Sequence, residues 1–168
     1  MSIKENEITL KPLKDEEINI FIKWLDKEYI YKWFCPEGEE ERQAWLDEVS
    51  NLNGKYNHLK HFIVNYRNKK IGYCLYMDMY FEPEYTKENY EINVDKNSSY
   101  EIGFLIGEKE YLNKGIGKII VKKLVEKINE IGGKEVFADP DPNNIASIKT
   151  LLNNGFIKIK EGYYRKKI

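Results

Sequence analysis

The sequence predicts a single α/β domain built on one mixed sheet, and three observations support that prediction. Its 168 residues are the size of one compact domain. Short stretches with the two-residue alternation of strands are interspersed along the chain with stretches of helical periodicity. A strand, a long helix and a second strand follow one another between Tyr100 and Ala138. Such a crossover is right-handed and makes its two strands parallel. The length and the mixed order of elements together predict one domain over residues 1–168.

The first half of the chain predicts one strand, two helices and a hairpin. Asp15 is the expected N-cap of the first helix, and Asn53-Gly54 ends the second. In order, the elements are a strand over 8–13, a helix with apolar positions 18, 21, 22 and 25, an irregular aromatic segment over 29–36, a helix over 39–49 with positions 44, 45 and 49 inward, and strands over 61–66 and 70–80 joined by the turn 67–69.

The second half predicts two strands, two helices and a closing hairpin. A polar excursion over 82–99 shows no clear period. The elements after it are a strand over 100–107, a helix over 115–131 with an isoleucine-rich face from Ile116 to Ile131, a strand over 135–138, a helix over 144–153 with Ile145, Ile148, Leu151 and Leu152 inward, and a hairpin of 156–160 and 163–167. The expected sheet is therefore mixed and mostly antiparallel, with helices flanking it.

Composition and charge exclude several functional classes. The formal net charge of −1 does not favour general nucleic-acid binding. No stretch approaches the ~18 apolar residues of a membrane helix, and the first seven residues contain no apolar signal core, so we expect a cytoplasmic protein without a membrane segment. Cys35 and Cys74 are too few for a disulfide framework, although the sequence leaves one isolated bridge open.

The charge is unevenly distributed along the chain. Residues 81–98 carry five acidic and two basic side chains, whereas residues 157–168 carry five basic and one acidic. Such runs usually only solvate a surface. An acidic segment beside a cleft would also attract a cationic substrate, and both interpretations stay open.

The segment Lys114-Gly115-Ile116-Gly117-Lys118 opens the longest predicted helix. The first turn of a helix has N–H groups without internal partners and carries partial positive charge. Two glycines allow a phosphate to approach these groups, and two lysines add charge beside them. The alternative is a tight turn followed by a solvated lysine face. The third glycine of the dinucleotide fingerprint and the Lys-Ser/Thr of the Walker loop are both absent.

Two later motifs give this loop a context. The turn Asp139-Pro140-Asp141-Pro142-Asn143-Asn144 follows the fifth strand, and Gly155-Phe156 precedes the sixth. With Leu112–Lys118, these motifs resemble the GCN5-related N-acetyltransferase (GNAT) family in order and spacing over nearly the whole chain. Trp24-Leu25-Asp26 and Trp33-Phe34 resemble the branch of aminoglycoside 6'-N-acetyltransferases. Siderophore-type lysine acetyltransferases and ribosomal-protein N-terminal acetyltransferases share parts of the pattern.

The resemblance implies an acetyl-CoA site where strands four and five splay apart. The backbone of Lys114, Gly115, Ile116, Gly117 and Lys118 would hold the pyrophosphate. The backbone of Leu105 and Ile106 would pair with the pantetheine arm like an added strand. Asn144 would contact that arm from the other side. These residues form the predicted cofactor site, and no metal is expected in it.

Three side chains are candidates on the acceptor side. Glu101 is the candidate base that removes a proton from the acceptor ammonium. It would share a strand face with Gly103, the position where the resembling aminoglycoside enzymes have an acidic residue. Asp139 would bind the acceptor ammonium, and Trp33 would wall its pocket. The alternatives are a strand-end ion pair for Glu101, a turn cap for Asp139 and a core position for Trp33.

Two positions depart from the family pattern. Leu112 replaces the usual Gln or Arg of the glycine loop, as it does in the aminoglycoside branch. Leu151 replaces the tyrosine that many members use to protonate the leaving thiolate. Either Tyr163 or Tyr164 takes that role, or the thiolate leaves unassisted, as its pKa of about 8.5 would allow.

The sequence therefore predicts an acetyl-CoA-dependent N-acetyltransferase acting on a primary amine of a small cationic acceptor, with an aminoglycoside antibiotic among the candidates. The alternatives are acetylation of a protein or peptide N-terminus, siderophore-type lysine acetylation, and a CoA-binding module without turnover. No nucleic-acid or membrane partner is expected. Relatives in the family commonly pair through the terminal hairpin, so the resemblance makes a homodimer one candidate, and the sequence leaves the oligomeric state open.

Overall fold

The computed structural model describes residues 2–168, which fold around one seven-stranded sheet. The strands are β1 (Ile8–Pro12), β2 (Leu59–Tyr66), β3 (Lys69–Asp78), β4 (Ser99–Ile106), β5 (Glu135–Ala138), β6 (Ile157–Lys160) and β7 (Tyr163–Lys167). Their order across the sheet is β1-β2-β3-β4-β5-β7-β6. All neighbours are antiparallel except β4 and β5, which are parallel. The predicted fold class and the parallel crossover are confirmed.

Helices cover both faces of the sheet. They are α1 (Ile18–Leu25), α2 (Glu28–Phe34), α3 (Glu39–Val49), α4 (Pro83–Tyr90), α5 (Ile116–Glu130) and α6 (Ile145–Asn153). Helices α5 and α6 lie on one face, and α1 to α4 lie on the other. Strand β3 supplies both layers because its side chains alternate: Cys74 packs under α5, whereas Tyr73 and Leu75 pack under α1 to α3.

The carboxyl end of β4 is held tightly in place, which matters for the site described below. The Gly107 N–H donates to the Ile71 carbonyl of β3 at 2.7 Å. A Cβ at Gly107 would lie 2.2 Å from the ring of Trp24, so only glycine fits there. The indole N–H of Trp24 donates to Glu108 at 2.8 Å. Helix α1 therefore fixes the point at which β4 ends.

Two predicted irregular segments are helices instead. Residues 29–36 contain most of α2, because burial of Ile30 outweighs the weak helix propensity of an aromatic run. Within 82–99 lies α4, which begins with Pro83 and buries Thr86 and Tyr90. Proline at the first helical position is a start signal.

Some predicted details are wrong. Asp15 begins a short 3₁₀ turn and does not cap α1, which follows that turn without a side-chain cap. The predicted inward residues Ile131, Ile145 and Leu152 are exposed. Helix α6 covers only the margin of the sheet, so it buries Leu151 and leaves the flanking apolar positions in solvent.

Two findings bear on environment. Cys35 and Cys74 are both buried and free. None of the helices within residues 2–168 combines the length and the apolarity needed to cross a bilayer.

Candidate active site

A cleft of about 600 Å³ opens beside the carboxyl end of β5. Helices α2 and α3 line one side of it, β4 lines its base, and the turn from β5 into α6 lines the other side. Helix α4 contributes Tyr85. In open α/β sheets, ligands bind at the carboxyl ends of strands, so the cleft is in the expected place for a site.

Strands β4 and β5 separate at this cleft. Their pairing ends with Glu101 opposite Phe137, whereas β4 continues to Ile106 without a partner on that side. The crossover from β4 through α5 to β5 therefore leaves half of β4 with an unpaired edge. An extended ligand can hydrogen-bond to such an edge as an added strand.

The direction of the backbone along β4 decides which residues can make those bonds. Gly107 donates to β3, and the carbonyl of Leu105 lies against Gly72 of β3. Because backbone groups alternate in direction along a strand, those of Phe104 and Ile106 turn to the open side. Of the two predicted pantetheine residues, Ile106 turns its backbone to the open side, where its carbonyl accepts from the Tyr29 hydroxyl at 3.1 Å, whereas Leu105 turns its backbone to β3. Phe104 also turns its backbone to the open side, and it lines the cleft.

The glycine loop forms an uncapped helix start next to this edge. Gly115 is the N-cap of α5 with a φ of 77°, a left-handed conformation that favours glycine, and no side chain caps its first turn. Gly117 lies against Phe104, since a Cβ there would be 3.4 Å from that ring. The Ile116 side chain is buried, so this residue offers only its backbone. Lys114 and Lys118 are exposed beside it.

These features fit an acidic, elongated ligand such as a CoA thioester. The free N–H groups at the start of α5 and the two lysines suit a pyrophosphate. The open edge of β4 suits an amide-bearing arm that leads towards the cleft. Asn144 lines the cleft from the opposite side. Its side-chain oxygen caps α6 by accepting from the Ser147 N–H at 3.2 Å, which leaves its NH₂ group for a ligand.

The cleft itself is strongly acidic. Six carboxyl side chains line it, and none of its described lining residues is Lys, Arg or His. Four elements or turns contribute the carboxyls, which are Glu41, Glu48, Glu82, Glu101, Asp139 and Asp141. Like charges in a confined space repel one another unless a cation enters, so this lining favours a positively charged ligand. Within residues 2–168, no three His, Cys, Asp or Glu side chains are arranged to hold a metal ion.

Glu101 is the centre of a hydrogen-bonded group at the base of the cleft. The Tyr90 hydroxyl donates to its Oε2 at 2.6 Å. The Tyr85 hydroxyl lies 3.1 and 3.0 Å from its two oxygens, and 3.0 Å from Oδ2 of Asp139. Tyr85 therefore bridges the two carboxyls that the sequence predicts on the acceptor side. The strand-end ion pair that was the alternative for Glu101 is not formed.

Burial and mutual repulsion shift the pKa values of these carboxyls. Burial, and then the charge of Asp139, hold the pKa of Glu101 well above its ordinary value. Burial raises the pKa of Asp139 to about 6, against the lowering effect of the Tyr85 hydrogen bond. The Asp139 side chain nevertheless remains accessible from the open cleft, so solvent moderates its shift. Displaced carboxyl pKa values in a cleft are typical of active sites.

Glu48 of α3 is a third displaced carboxyl. Burial, followed by the nearby charge of Glu82, raises its pKa to about 7. The Nε2 atom of His58 lies 2.8 Å from Glu82. With a pKa of about 7, Glu48 would be about half ionised at neutral pH. A cation that enters the cleft would increase the ionised fraction.

The predicted acceptor residue Trp33 lines the cleft, as does Leu151. Leu151 is buried and has no group that can donate a proton. Neither predicted substitute reaches the cleft: the Tyr163 hydroxyl donates to Asn89 at 2.8 Å, and Tyr164 is buried in the core under α5 and α6. Tyr85 is the tyrosine that lines the cleft in the described part of the chain.

Sequence reasoning missed Tyr85, Tyr90, Glu41 and Glu48. The two tyrosines lie in the excursion that was expected to be irregular, and Pro83 was the available signal that a helix begins there. The two glutamates lie in a correctly predicted helix, seven positions apart and thus on one face. Only the position of α3 against β4 shows that this face meets the cleft.

Residues 7–157 match the family model of the acetyltransferase (GNAT) domain. An uncharacterized protein of Methanocaldococcus jannaschii is 26% identical over 164 residues, which are 95% of this chain. The chain spans only 30% of the length of that curated relative.

Solved structures share the fold. A domain from Methanocaldococcus jannaschii is 24% identical, with a TM-score of 0.73 over 96% of this chain and 98% of that one. Aminoglycoside acetyltransferase AAC(6')-Ib in complex with coenzyme A is 17% identical, with a TM-score of 0.74 over 95% and 94%. The aminoglycoside N(6')-acetyltransferase of Legionella pneumophila is 13% identical, with a TM-score of 0.72 over 96% and 91%.

Proposed function

The chain belongs to the acetyltransferase (GNAT) domain family, and from that premise we propose that it transfers the acetyl group of acetyl-CoA to a primary amine of a small cationic acceptor. Aminoglycosides are among the candidate acceptors. The observation that carries the proposal is the acidic cleft at the point where β4 and β5 separate. A thioester held along the open edge of β4 would present its carbonyl there, beside carboxyls that attract an ammonium.

The donor region consists of the start of α5, residues 114–118, and the open edge of β4 at Phe104 and Ile106. We propose that the N–H groups of 114–118 bind the pyrophosphate of acetyl-CoA and that the β4 edge binds its pantetheine arm. Asn144 would donate to the same arm from the other side of the cleft. Leu112 adds no charged contact to the phosphates, and Lys114 and Lys118 provide the positive charge instead.

The acceptor region consists of Trp33, Glu41, Glu48, Tyr85, Glu101 and Asp139. An alkylammonium with a pKa of about 10.4 is almost entirely protonated at neutral pH and cannot attack. The carboxyl pair of Glu101 and Asp139 would bind the ammonium and take one proton from it. The neutral nitrogen then attacks the thioester carbon, and the C–S bond breaks. The second proton that the nitrogen loses passes to the departing thiolate, whose pKa of about 8.5 makes it a sufficient acceptor.

An acceptor screen tests this proposal directly. Purified protein and acetyl-CoA are incubated with aminoglycosides, polyamines, lysine derivatives and peptides with free N-termini, and released CoA thiol is measured. We expect amines that carry further positive charges to give the highest kcat/KM, because six carboxyls line the cleft. Release with peptides alone would instead favour N-terminal acetylation.

A binding measurement distinguishes a non-catalytic CoA-binding module from the proposed acetyltransferase. CoA binding is measured by calorimetry on the same protein, and the Glu101→Gln, Asp139→Asn double variant serves as the inactive control. If CoA binds but no amine in the screen releases thiol above that control, the chain is a CoA-binding module. If CoA does not bind, the donor region is wrongly assigned.

We also propose that two copies pair through the terminal hairpin. Strand β6 is the outer strand of the sheet, and it exposes Ile157 and Ile159. An apolar, unpaired outer strand is a common site of association. Light scattering on the purified protein distinguishes a dimer from a monomer, and an Ile157→Lys variant should be monomeric.

A further inference from the structure

The hydroxyl of Tyr85 is surrounded by carboxyl oxygens. It lies 3.0 Å from Oε2 and 3.1 Å from Oε1 of Glu101, and 3.0 Å from Oδ2 of Asp139. A tyrosine hydroxyl has one proton to donate and can accept through its oxygen. It therefore cannot donate to both residues at once.

The hydrogen bonds of the Tyr85 hydroxyl determine how many protons Glu101 and Asp139 carry between them. If both carboxyls were ionised, one of the two contacts to Tyr85 would join bare lone pairs and would be repulsive. One additional proton on either carboxyl removes this conflict, because the protonated carboxyl donates to the Tyr85 oxygen while Tyr85 donates to the other carboxylate. No lysine, arginine or histidine among the described residues lines the cleft to supply an alternative positive charge.

The surroundings of the two carboxyls differ. Glu101 is half-buried, and Tyr90 contacts it from below at 2.6 Å. Asp139 stands at the end of β5 with its side chain exposed to the cleft. Because desolvation penalises the charged form, the proton belongs on the less accessible carboxyl, Glu101. Glu41 and Glu48 of α3 and Tyr163 of β7 are the other titratable groups that interact electrostatically with the pair. The nearest cation on the neighbouring strands is Arg165 of β7, which pairs with Phe137 one strand beyond Glu101 and does not line the cleft.

We infer that Tyr85 is a positioning residue that joins Glu101 and Asp139 into a unit holding one proton, and that Asp139, not Glu101, takes the proton of the acceptor ammonium. The inference rests on the proposed function. In the resting unit, Tyr90 donates to Oε2 of Glu101, the protonated Oε1 donates to Tyr85, and Tyr85 donates to Oδ2 of Asp139. Each of the three donated protons in this series of hydrogen bonds therefore has its own acceptor oxygen.

The proton transfer balances without any further group. The N–H bond of the ammonium breaks, its electron pair stays on nitrogen, and the proton moves to Oδ1 of Asp139, the oxygen that Tyr85 does not contact. The neutral nitrogen then attacks the thioester carbon, the C–S bond breaks, and the second proton that the nitrogen loses passes to the departing thiolate. Glu101 keeps its proton throughout and serves to hold Tyr85 in the donating orientation, which maintains Asp139 as a carboxylate.

Amide substitutions distinguish the two carboxyls. Gln at position 101 imitates the protonated acid, because its NH₂ can donate to Tyr85 and its oxygen can accept from Tyr90. Asn at position 139 can still accept from Tyr85 but cannot take a proton. We expect Asp139→Asn to lower kcat by about 10²–10⁴-fold and Glu101→Gln to lower it at least tenfold less. If Glu101→Gln costs as much as Asp139→Asn or more, Glu101 is the base and the inference is overturned.

A titration of the free protein tests the unit without any acceptor. Side-chain carboxyl carbons are labelled with ¹³C and followed by NMR as a function of pH. Asp139 should titrate near pH 6, and Tyr85→Phe should move that midpoint upward by about one pH unit, because a hydrogen bond to the charged form is lost. Tyr80→Phe, at an exposed tyrosine that does not line the cleft, is the matched control and should leave the midpoint in place.

The titration and the acceptor screen can fail separately. An unmoved Asp139 midpoint in Tyr85→Phe overturns the inference whatever the screen finds. A moved midpoint with no acetylated amine supports the one-proton unit and leaves the proposed function refuted. Circular dichroism checks that Tyr85→Phe is folded, as expected since only the hydroxyl is removed.

Discussion

The donor region and the acceptor region meet at the same pair of strands but are built from different parts of the chain. The donor region uses backbone groups of two short segments, residues 114–118 and the end of β4. The acceptor region uses side chains from α2, α3, α4, β4 and the end of β5. Its carboxyl pair needs Tyr85, which lies 16 residues from Glu101 and 54 residues from Asp139 in the chain.

This difference has a physical consequence for substitution. A backbone site depends on the conformation of its own segment, so it should tolerate most side-chain changes and fail when the backbone conformation changes. A side-chain site depends on charge and on contacts among distant elements, so it should respond to single charge changes and to pH. The two regions should therefore be separable by experiment.

The largest difference in response between the two regions is expected for a substitution at Gly115. Its φ is 77°, and a Cβ there would meet nothing within 4 Å. Alanine there strains the backbone by about 1–2 kcal/mol, which the segment relieves by turning its N–H groups away from the phosphate. We expect Gly115→Ala to weaken CoA binding by about 5–30-fold. Calorimetric titration with CoA measures this change.

Gly132 provides the matched control at the other end of α5. Its φ is 88°, and a Cβ there also meets nothing within 4 Å. Gly132→Ala should therefore lose similar stability in thermal unfolding but should bind CoA normally. Equal losses of CoA affinity in both variants would mean that strain alone explains the effect and that residues 114–118 do not hold the phosphates.

The next effect concerns the pH dependence of stability, which the acceptor region should dominate through Glu48. Its pKa is about 7 in the folded protein against 4.5 as its reference. A carboxyl with a raised folded pKa contributes stability that is fully present below pH 4.5 and is lost as the pH rises through 7. We expect Glu48→Gln to stabilise the protein by about 1–2 kcal/mol at pH 8 and by little at pH 4.5.

Denaturant unfolding at both pH values measures this difference. Glu40→Gln is the matched control, because Glu40 is an exposed residue of the same helix that does not line the cleft. A gain for Glu48→Gln that is the same at both pH values would show that Glu48 ionises normally. The acidic lining would then be less desolvated than the structure indicates.

A smaller effect should distinguish the two regions by substrate. Glu41 lines the cleft one position after Glu40 on α3. Because removing one charge near a cation costs about 0.6–1 kcal/mol, Glu41→Gln should raise KM for the cationic acceptor about three- to fivefold without changing KM for acetyl-CoA. Glu40→Gln should change neither. Steady-state kinetics with the amine identified by the screen decides, and equal effects of the two variants would assign the attraction to the overall surface charge.

The two regions also differ in how far the sequence predicted them. The glycine loop is contiguous, and two glycines at a helix start favour a phosphate site, so residues 114–118 could be named from the sequence as candidates. The parallel pair followed from the order of elements and the handedness of crossovers. The sequence did not predict that the backbone of Phe104, and not that of Leu105, faces the open edge of β4. That direction depends on the pairing of β4 with β3.

The acceptor region was only partly predictable for the same reason. Glu101 and Asp139 could be named because each lies at a strand position that the fold places near the splay. Tyr85 could not, because α4 is a short helix of polar residues whose docking is a tertiary effect. The charge count over residues 81–98 drew attention to this segment, yet the tyrosines of α4, and not its excess acidic residues, contact the carboxyl pair.

Asn144 lines the cleft opposite the β4 edge and also caps α6, and it gives the smallest and most selective effect. Its side-chain oxygen caps α6 through Ser147, while its NH₂ group is the proposed contact to the pantetheine arm. Asp caps a helix as well as Asn does but has no NH₂ to donate, so Asn144→Asp should retain the Tm of the parent protein and weaken CoA binding about two- to threefold. Asn144→Ala removes both functions and should also cost about 1 kcal/mol of stability. Thermal unfolding and calorimetry on the two variants separate the cap from the contact: if Asn144→Asp binds CoA as the parent does, Asn144 acts only as a cap, and the open edge of β4 must hold the arm without a partner on the α6 side.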